Sequence, residues 1–198
     1  MKFDTFYLIV PDVRVLQVLV PLGVRLVQLR LKSDDAAEVH RQVAQSLEIC
    51  ARHGAQLVVN DHWQTAIDLG ADAVHLGQQD LDDADLPALR RAGIAVGMST
   101  HDDGELERAL LLSPAYVALG PIYPTLLKQM PWQPQGLEKL TRWKVRIGAL
   151  PLVAIGGLTL PRLPGVFAAG ADSAAVVTDI VTAPDPAAQT QGWLRATR

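Results

Sequence analysis

The chain has 198 residues, 49% of them hydrophobic and 20% charged, so it can bury a substantial core within one folding unit. A net charge of −3 argues against a nucleic-acid surface, which would need a basic stripe that does not appear, so any bound phosphate is expected to be small and held locally. The lone Cys50 excludes an intramolecular disulfide and a cysteine metal cluster, and without an apolar leader or a membrane-length apolar run the sequence reads as soluble and cytoplasmic, with no membrane partner.

Taken in chain order, short apolar runs alternate with amphipathic segments, the pattern of parallel strands buried on both faces and joined by crossover helices. Strands are predicted at 6–10, 24–31, 56–59, 73–76, 95–98, 116–119, 152–155 and 173–177. Helices are predicted between and after them, at 13–22, 35–53, 63–69, 86–92, 103–111, 136–146, 160–168 and 186–196. Gly23, Gly54, Gly70, Gly93 and Gly170 stand where helix C-terminal caps belong, and Asp34 and Asp102 where N-caps belong. Repeated β-then-α units of about 25 residues predict an α/β fold, a closed (β/α)8 TIM barrel at the short end of its size range. Residues 1–198 form it as a single domain, with the Pro-rich stretch 121–134 as an internal loop. The alternative, an open doubly wound sheet, would carry a Gly-x-Gly-x-x-Gly turn after its first strand, and none is present.

In such a barrel the chemistry comes from the C-terminal ends of the strands, and polar residues gather there in this sequence. The second strand ends with Gln28, Arg30 and Lys32 on one face by the two-residue period, a face predicted to point inward. Two cations there need an anion or carboxylates, so they read either as structural ion pairs or as a phosphate clamp, Arg30 giving a fork and Lys32 a point charge. Asn60-Asp61 after the third strand and Asp80 after the fourth bring two acids together, a pairing suited to Mg2+, although Asp61 alone could cap the next helix. Ser99 is placed either to donate to a phosphate or to cap the next helix, and His101 sits beside it at the mouth. The loop after the sixth strand offers Thr125 and Lys128 and is long enough to act as a lid. Gly156-Gly157 and Val177-Thr178 end the last two strands, the habitual phosphate position of this barrel.

The segments QLRLK (28–32), ND (60–61), HLGQQD (75–80), GMSTHDD (97–103), ALGPIYPTLLKQM (118–130) with PQGL (134–137), AIGGL (154–158) and AVVTDI (175–180) resemble, in that order, the thiamine-phosphate synthase family. The resemblance implies a transferase of thiamine biosynthesis that joins a hydroxymethylpyrimidine pyrophosphate to a hydroxyethylthiazole phosphate with the help of Mg2+. It implies that Gln28, Arg30, Lys32, Asn60, Ser99 and Lys128 hold the pyrimidine pyrophosphate, with Arg30, Lys32, Ser99 and Lys128 as the catalytic groups facing the leaving pyrophosphate. It also implies that Asp61 and Asp80 ligate Mg2+, and that Thr125, Gly157, Val177 and Thr178, with residue 127, line the thiazole phosphate site. Two positions depart from the family pattern: Leu127 replaces a Thr and Thr178 replaces a Ser. One rival is a thiazole tautomerase of the same superfamily, in which His101 would be the acid–base group. The other is a catalytically silent barrel that binds the thiazole or pyrimidine phosphate. The retained basic clamp and acid pair argue against the tautomerase, which handles no pyrophosphate.

Overall fold

Side-chain alternation along each strand separates two apolar layers. In a computed structural model, which describes residues 3–125 and 132–198, the strands are β1 (Phe6–Val10), β2 (Leu26–Leu29), β3 (Gln56–Asn60), β4 (Ala73–Leu76), β5 (Ala95–Thr100), β6 (Tyr116–Leu119), β7 (Leu152–Ile155) and β8 (Ser173–Val176). All pair in parallel with their sequence neighbours, and β8 returns to β1, closing the barrel. Phe6, Leu8, Val27, Val59, Val74 and Val117 face outward into the layer beneath the helices. Tyr7, Ile9, Leu26, Val58, Tyr116 and Val153 face inward and pack against one another inside the barrel.

The helices follow the amphipathic segments: α1 (Val13–Leu19), α2 (Ala36–His53), α3 (Trp63–Asp68), α4 (Asp80–Asp83), α5 (Leu86–Arg91), α6 (Asp103–Leu111), α7 (Gly136–Ile147), α8 (Leu163–Ala168), α9 (Thr178–Val181) and α10 (Pro186–Ala196). All five glycines expected at helix ends have positive φ. Asp102 caps α6 as expected, but α2 is capped by Asp35, whose side chain accepts from the Ala37 and Glu38 N–H groups, and not by Asp34. The predicted segments 13–22 and 160–168 each divide, with a single 3₁₀ turn at Val20–Leu22 and at Leu160–Arg162, in both cases where a proline enters. The short helices α4 and α9, one turn each, carry no full hydrophobic period and were not expected. The last helix is tied down by Trp193, wholly buried, whose indole N–H donates to Asp179 at 2.7 Å.

One layer of the interior positions the site. Asn60, His75, Gly97 and Tyr116 are successive Cα partners across β3, β4, β5 and β6. Gly97 has no side chain, and the Tyr116 ring crosses the space above it: a Cβ built there would lie 2.0 Å from the Tyr116 ring. That vacancy lets the Tyr116 ring reach the His75 ring, with centroids 5.6 Å apart and planes 20° from parallel. Gly97→Ala must therefore displace a wholly buried tyrosine. We expect it to cost about 1–3 kcal/mol of unfolding free energy, the usual scale of overpacking. Urea denaturation of the two proteins measures this, and an unchanged midpoint would show that Tyr116 has room to move.

Candidate active site at the C-terminal mouth of the barrel

Inward residues of five strands, β1, β2, β4, β5 and β6, meet in a buried polar chain. Gln28, 2% exposed, donates through Nε2 to the Tyr7 hydroxyl at 2.9 Å. The Tyr7 and Tyr116 hydroxyls are 2.9 Å apart, and the Tyr116 hydroxyl lies 2.8 Å from His75 Nδ1. His75 Nε2 in turn lies 2.8 Å from Ser99 Oγ. Burial pushes the His75 pKa down to about 4, with the positive charge of Arg30 acting in the same direction and the Asp61 carboxylate opposing it. Burial also holds Tyr7 and Tyr116 above the ordinary phenol value, so all three rings are neutral near neutral pH. Asn60, in the same interior layer, keeps a buried amide nitrogen with no partner among the described residues.

Above this neutral interior sits a charged rim. Lys32 Nζ is 2.6 Å from Asp61 Oδ2. Asp61 adopts a left-handed backbone, φ 63°, uncommon for a residue with a Cβ. Asp80 accepts from the Gly77 N–H at 3.1 Å. Its carboxyl is held above the usual range by partial burial first and then by the nearby negative charge of Asp61; the Gly77 N–H and Lys32 pull the other way. Arg30 is exposed at the same rim, and its guanidinium makes no ion pair among the described residues.

The loops after β6 and β7 form the opposite side of the mouth. Ile122 and Tyr123 donate their N–H groups to the carbonyls of Ile155 and Gly156 at 2.9 and 3.0 Å, so the two loops run against each other. Gly157, φ 65°, has Pro124 O and Tyr123 Cβ where a Cβ would stand, at 2.5 and 2.8 Å. Arg162 donates to the Gly157 carbonyl and lays its guanidinium 4.3 Å from the Tyr123 ring centroid. The N–H groups of Gly157 and of Thr178, the first residue of α9, find no acceptor among the described residues.

Several expectations change in this light. Strand β2 stops at Leu29, so only Gln28 of the predicted inward trio enters the barrel; Arg30 and Lys32 stand exposed above its end, where water solvates them. Asp61 caps no helix, since α3 has no side-chain cap, and Ser99 caps none either, because Asp102 performs that task for α6 while Ser99 turns inward to His75. His101 is occupied by Glu105 at 2.8 Å and stacks on Trp132 with centroids 5.4 Å apart, which is a packing role for both. Thr125 and Val177 are half-buried at the mouth with Gly157 and Thr178, whereas Leu127 and Lys128 lie outside the described residues. Sequence reasoning passed over Tyr7, Tyr116 and the ring of His75. Their signal was parity: each falls on an inward position of its strand while carrying a polar tip.

A closed parallel barrel with such a mouth is an enzyme of the (β/α)8 class. The sequence model of the family described as thiamine monophosphate synthase matches residues 6–180. The thiamine-phosphate synthase of Rhizobium etli is 54% identical over 197 residues, spanning the whole of this chain and 97% of its own length. That of an Enterobacter species is 47% identical over 179 residues, 90% of this chain and 85% of its own. Among solved structures, thiamine phosphate pyrophosphorylase from Pyrococcus furiosus superposes with a TM-score of 0.85 at 24% identity, covering 98% of this chain and 95% of that one. A 3-hexulose-6-phosphate synthase superposes with 0.70 at 16% identity, covering 97% and 99%. At these identities the two structures speak for the fold alone. The chain belongs to the thiamine-phosphate synthase family.

The buried His75 makes stability depend on pH. Its folded pKa of about 4 lies below the ordinary 6.5, so between those values the unfolded chain takes up a proton that the folded chain refuses. The contribution is fully present above pH 6.5 and is lost as pH falls toward 4. The slope for one such group reaches at most about 1.4 kcal/mol per pH unit. Urea unfolding across this window should show a steeper decline for the native chain than for His75→Gln; equal slopes would place His75 in contact with water.

Proposed function

We propose that this chain couples hydroxymethylpyrimidine pyrophosphate to hydroxyethylthiazole phosphate, giving thiamine phosphate and pyrophosphate, with Mg2+ as its cofactor. The observation that carries the reading is the proximity of Asp61 and Asp80, close enough for one to feel the other's charge, at a mouth that also presents Lys32 and Arg30. Two neighbouring carboxyls, one of them raised by partial burial and then by the other's charge, make a donor set for a hard divalent cation, and Mg2+ suits one or two carboxylates completed by phosphate oxygens and water. No group of three or more acids, histidines or cysteines gathers among the described residues, so substrate would complete the shell. Held by Asp61 and Asp80, Mg2+ would supply positive charge opposite the pyrophosphate oxygens.

The chain's own residues then divide the work. Arg30, Lys32, Ser99 and, from outside the described residues, Lys128 face the pyrophosphate, with Asn60 offering its unpaired amide nitrogen. As the methylene carbon–oxygen bond breaks, its electron pair leaves with the pyrophosphate, and donors fixed in place beforehand stabilise that charge. Gln28 lies beneath, where the pyrimidine would stand. Thr125, Gly157, Val177 and Thr178, with Leu127, would hold the thiazole phosphate, supported by the N–H groups of Gly157 and Thr178, which have no acceptor among the described residues. The thiazole nitrogen then forms the new carbon–nitrogen bond from an adjacent position, where proximity supplies much of the acceleration. Both substrates are small metabolites and Cys50 is a buried free thiol, which fits the cytoplasm. Against the tautomerase reading, that reaction handles no pyrophosphate and would have no use for Arg30 and Lys32 beside the acid pair Asp61 and Asp80.

Incubation with both substrates should release pyrophosphate and thiamine phosphate with Mg2+ present and stop on chelation. Asp61→Asn and Asp80→Asn should each lower kcat by about a hundredfold, the scale of losing one preorganised electrostatic contact. In chelator, Asp80→Asn should also raise the unfolding free energy, by about 0.5–1 kcal/mol, because it removes a repulsive charge while its amide oxygen still accepts from Gly77. Near-native turnover of either variant at limiting Mg2+ would remove that residue from the metal site.

A further inference from the structure

A chain of hydrogen bonds can be polarised in only two ways, and the two differ at both ends. In the buried chain Gln28–Tyr7–Tyr116–His75–Ser99, each internal group has one neighbour on each side. Gln28 turns its amide nitrogen to Tyr7, and an NH2 group can only donate. Tyr7 therefore accepts from Gln28 and spends its own proton on Tyr116. Tyr116, having accepted, donates to His75 Nδ1. That nitrogen must present a lone pair, so the neutral ring carries its proton on Nε2 and donates to Ser99 Oγ. Ser99 has then accepted from within, and its O–H is left to donate outward. The reverse polarity would need the Gln28 amide turned over, and it would draw the Ser99 proton into the barrel.

We infer that Tyr7, Tyr116 and His75 are positioning residues, a one-way relay that makes Ser99 an obligate hydrogen-bond donor to the pyrophosphate at the mouth. The inference rests on the pyrophosphate reading of that mouth. The exposed Arg30 and Lys32 stand on the same side, so an anion drawn there meets a donor and not a lone pair. Because the relay is buried among neutral rings, water cannot reorient it between turnovers, and the hydroxyl is aligned before the ligand arrives. The vacancy at Gly97 is part of the device, since any side chain there would part Tyr116 from His75.

Two measurements test it. Two-bond proton–nitrogen correlation spectra resolve the tautomers of the five histidines, and His75→Gln identifies the ring by its loss. His75 should show the Nε2–H form in the native chain and lose that preference in Tyr116→Phe, which keeps the ring over Gly97. Calorimetry with inorganic pyrophosphate and Mg2+ then compares Ser99→Ala, Tyr116→Phe and the double variant. Ser99→Ala should weaken binding on the order of tenfold, the cost of one donor to a charged group. Tyr116→Phe should weaken it by less, and the double variant no more than Ser99→Ala alone, because the relay acts only through that hydroxyl. A native His75 protonated on Nδ1, or losses that multiply in the double variant, would overturn the relay. A native chain that binds pyrophosphate with this coupling but yields no thiamine phosphate would overturn the synthase reading and leave the relay standing.

Discussion

The hydrogen bond between the Tyr116 hydroxyl and His75 Nδ1, 2.8 Å long, is the contact on which the interior depends. The barrel is closed, so a polar atom on an inward position has to find its partner on another strand or go without. Tyr116 is large enough to span the interior, but only because the residue paired with it on β5 is Gly97 and leaves the path open. From that hydroxyl the remaining choices follow. Tyr7 extends the chain toward β2, where Gln28 can donate to it, and His75 extends it to Ser99 on β5. Replacing any one of these by an apolar residue would leave its neighbour buried and unpaired, which costs more than the bond contributed.

The same burial separates a neutral interior from a charged rim. Desolvation keeps His75 and both tyrosines uncharged, while Lys32, Asp61, Asp80 and Arg30 stand where water still reaches them. The rim carries its own tension, since Asp61 and Asp80 press against each other and Lys32 relieves only part of that repulsion. Asp61 also holds a left-handed backbone that most residues avoid. These features weigh against stability, and the proposed Mg2+ and pyrophosphate would offset them. The interior supplies rigidity and the rim supplies charge, so neither function has to compromise the other.

Strand order and closure were legible because alternation and capping agree: each apolar run ends where a turn begins, and each predicted helix lies close to a glycine, aspartate or proline boundary. The strand ends were less so. Residues 24–25 and 30–31 look as apolar or as extended as Leu26–Leu29, yet the pairing of β2 with β1 and β3 ends at Leu29, and β5 gains Ser99 and Thr100 because they still find partners on β6. Helices α4 and α9 are too short for a period to register. At the mouth, Asp61 and Asp80 could be paired from their positions after adjacent strands. Ser99 could not be resolved, since a serine before a helix satisfies the cap preference equally well, and only the structure shows Asp102 already holding that post. The tyrosines were silent for a different reason: an aromatic within an apolar run reads as core, and they are core, with the chemistry confined to one oxygen each.

On the far side of the mouth, Gly157 answers to a nearer constraint than the one expected of it. Gly157 was expected so that a phosphate could approach the backbone, and its N–H is indeed without an acceptor among the described residues. The nearest constraint, however, is the chain itself: Tyr123 and Pro124 from the loop after β6 occupy the place of its missing side chain, and φ is positive there. Arg162 then locks the arrangement by bonding to the Gly157 carbonyl while stacking on Tyr123. The loop that leads toward residues 127 and 128 is thereby fastened at its base to the loop after β7, so two elements distant in sequence share one anchor. The described part of the loop after β6 is thus held in register with Gly157 by the packing of Tyr123 and Pro124 against one glycine.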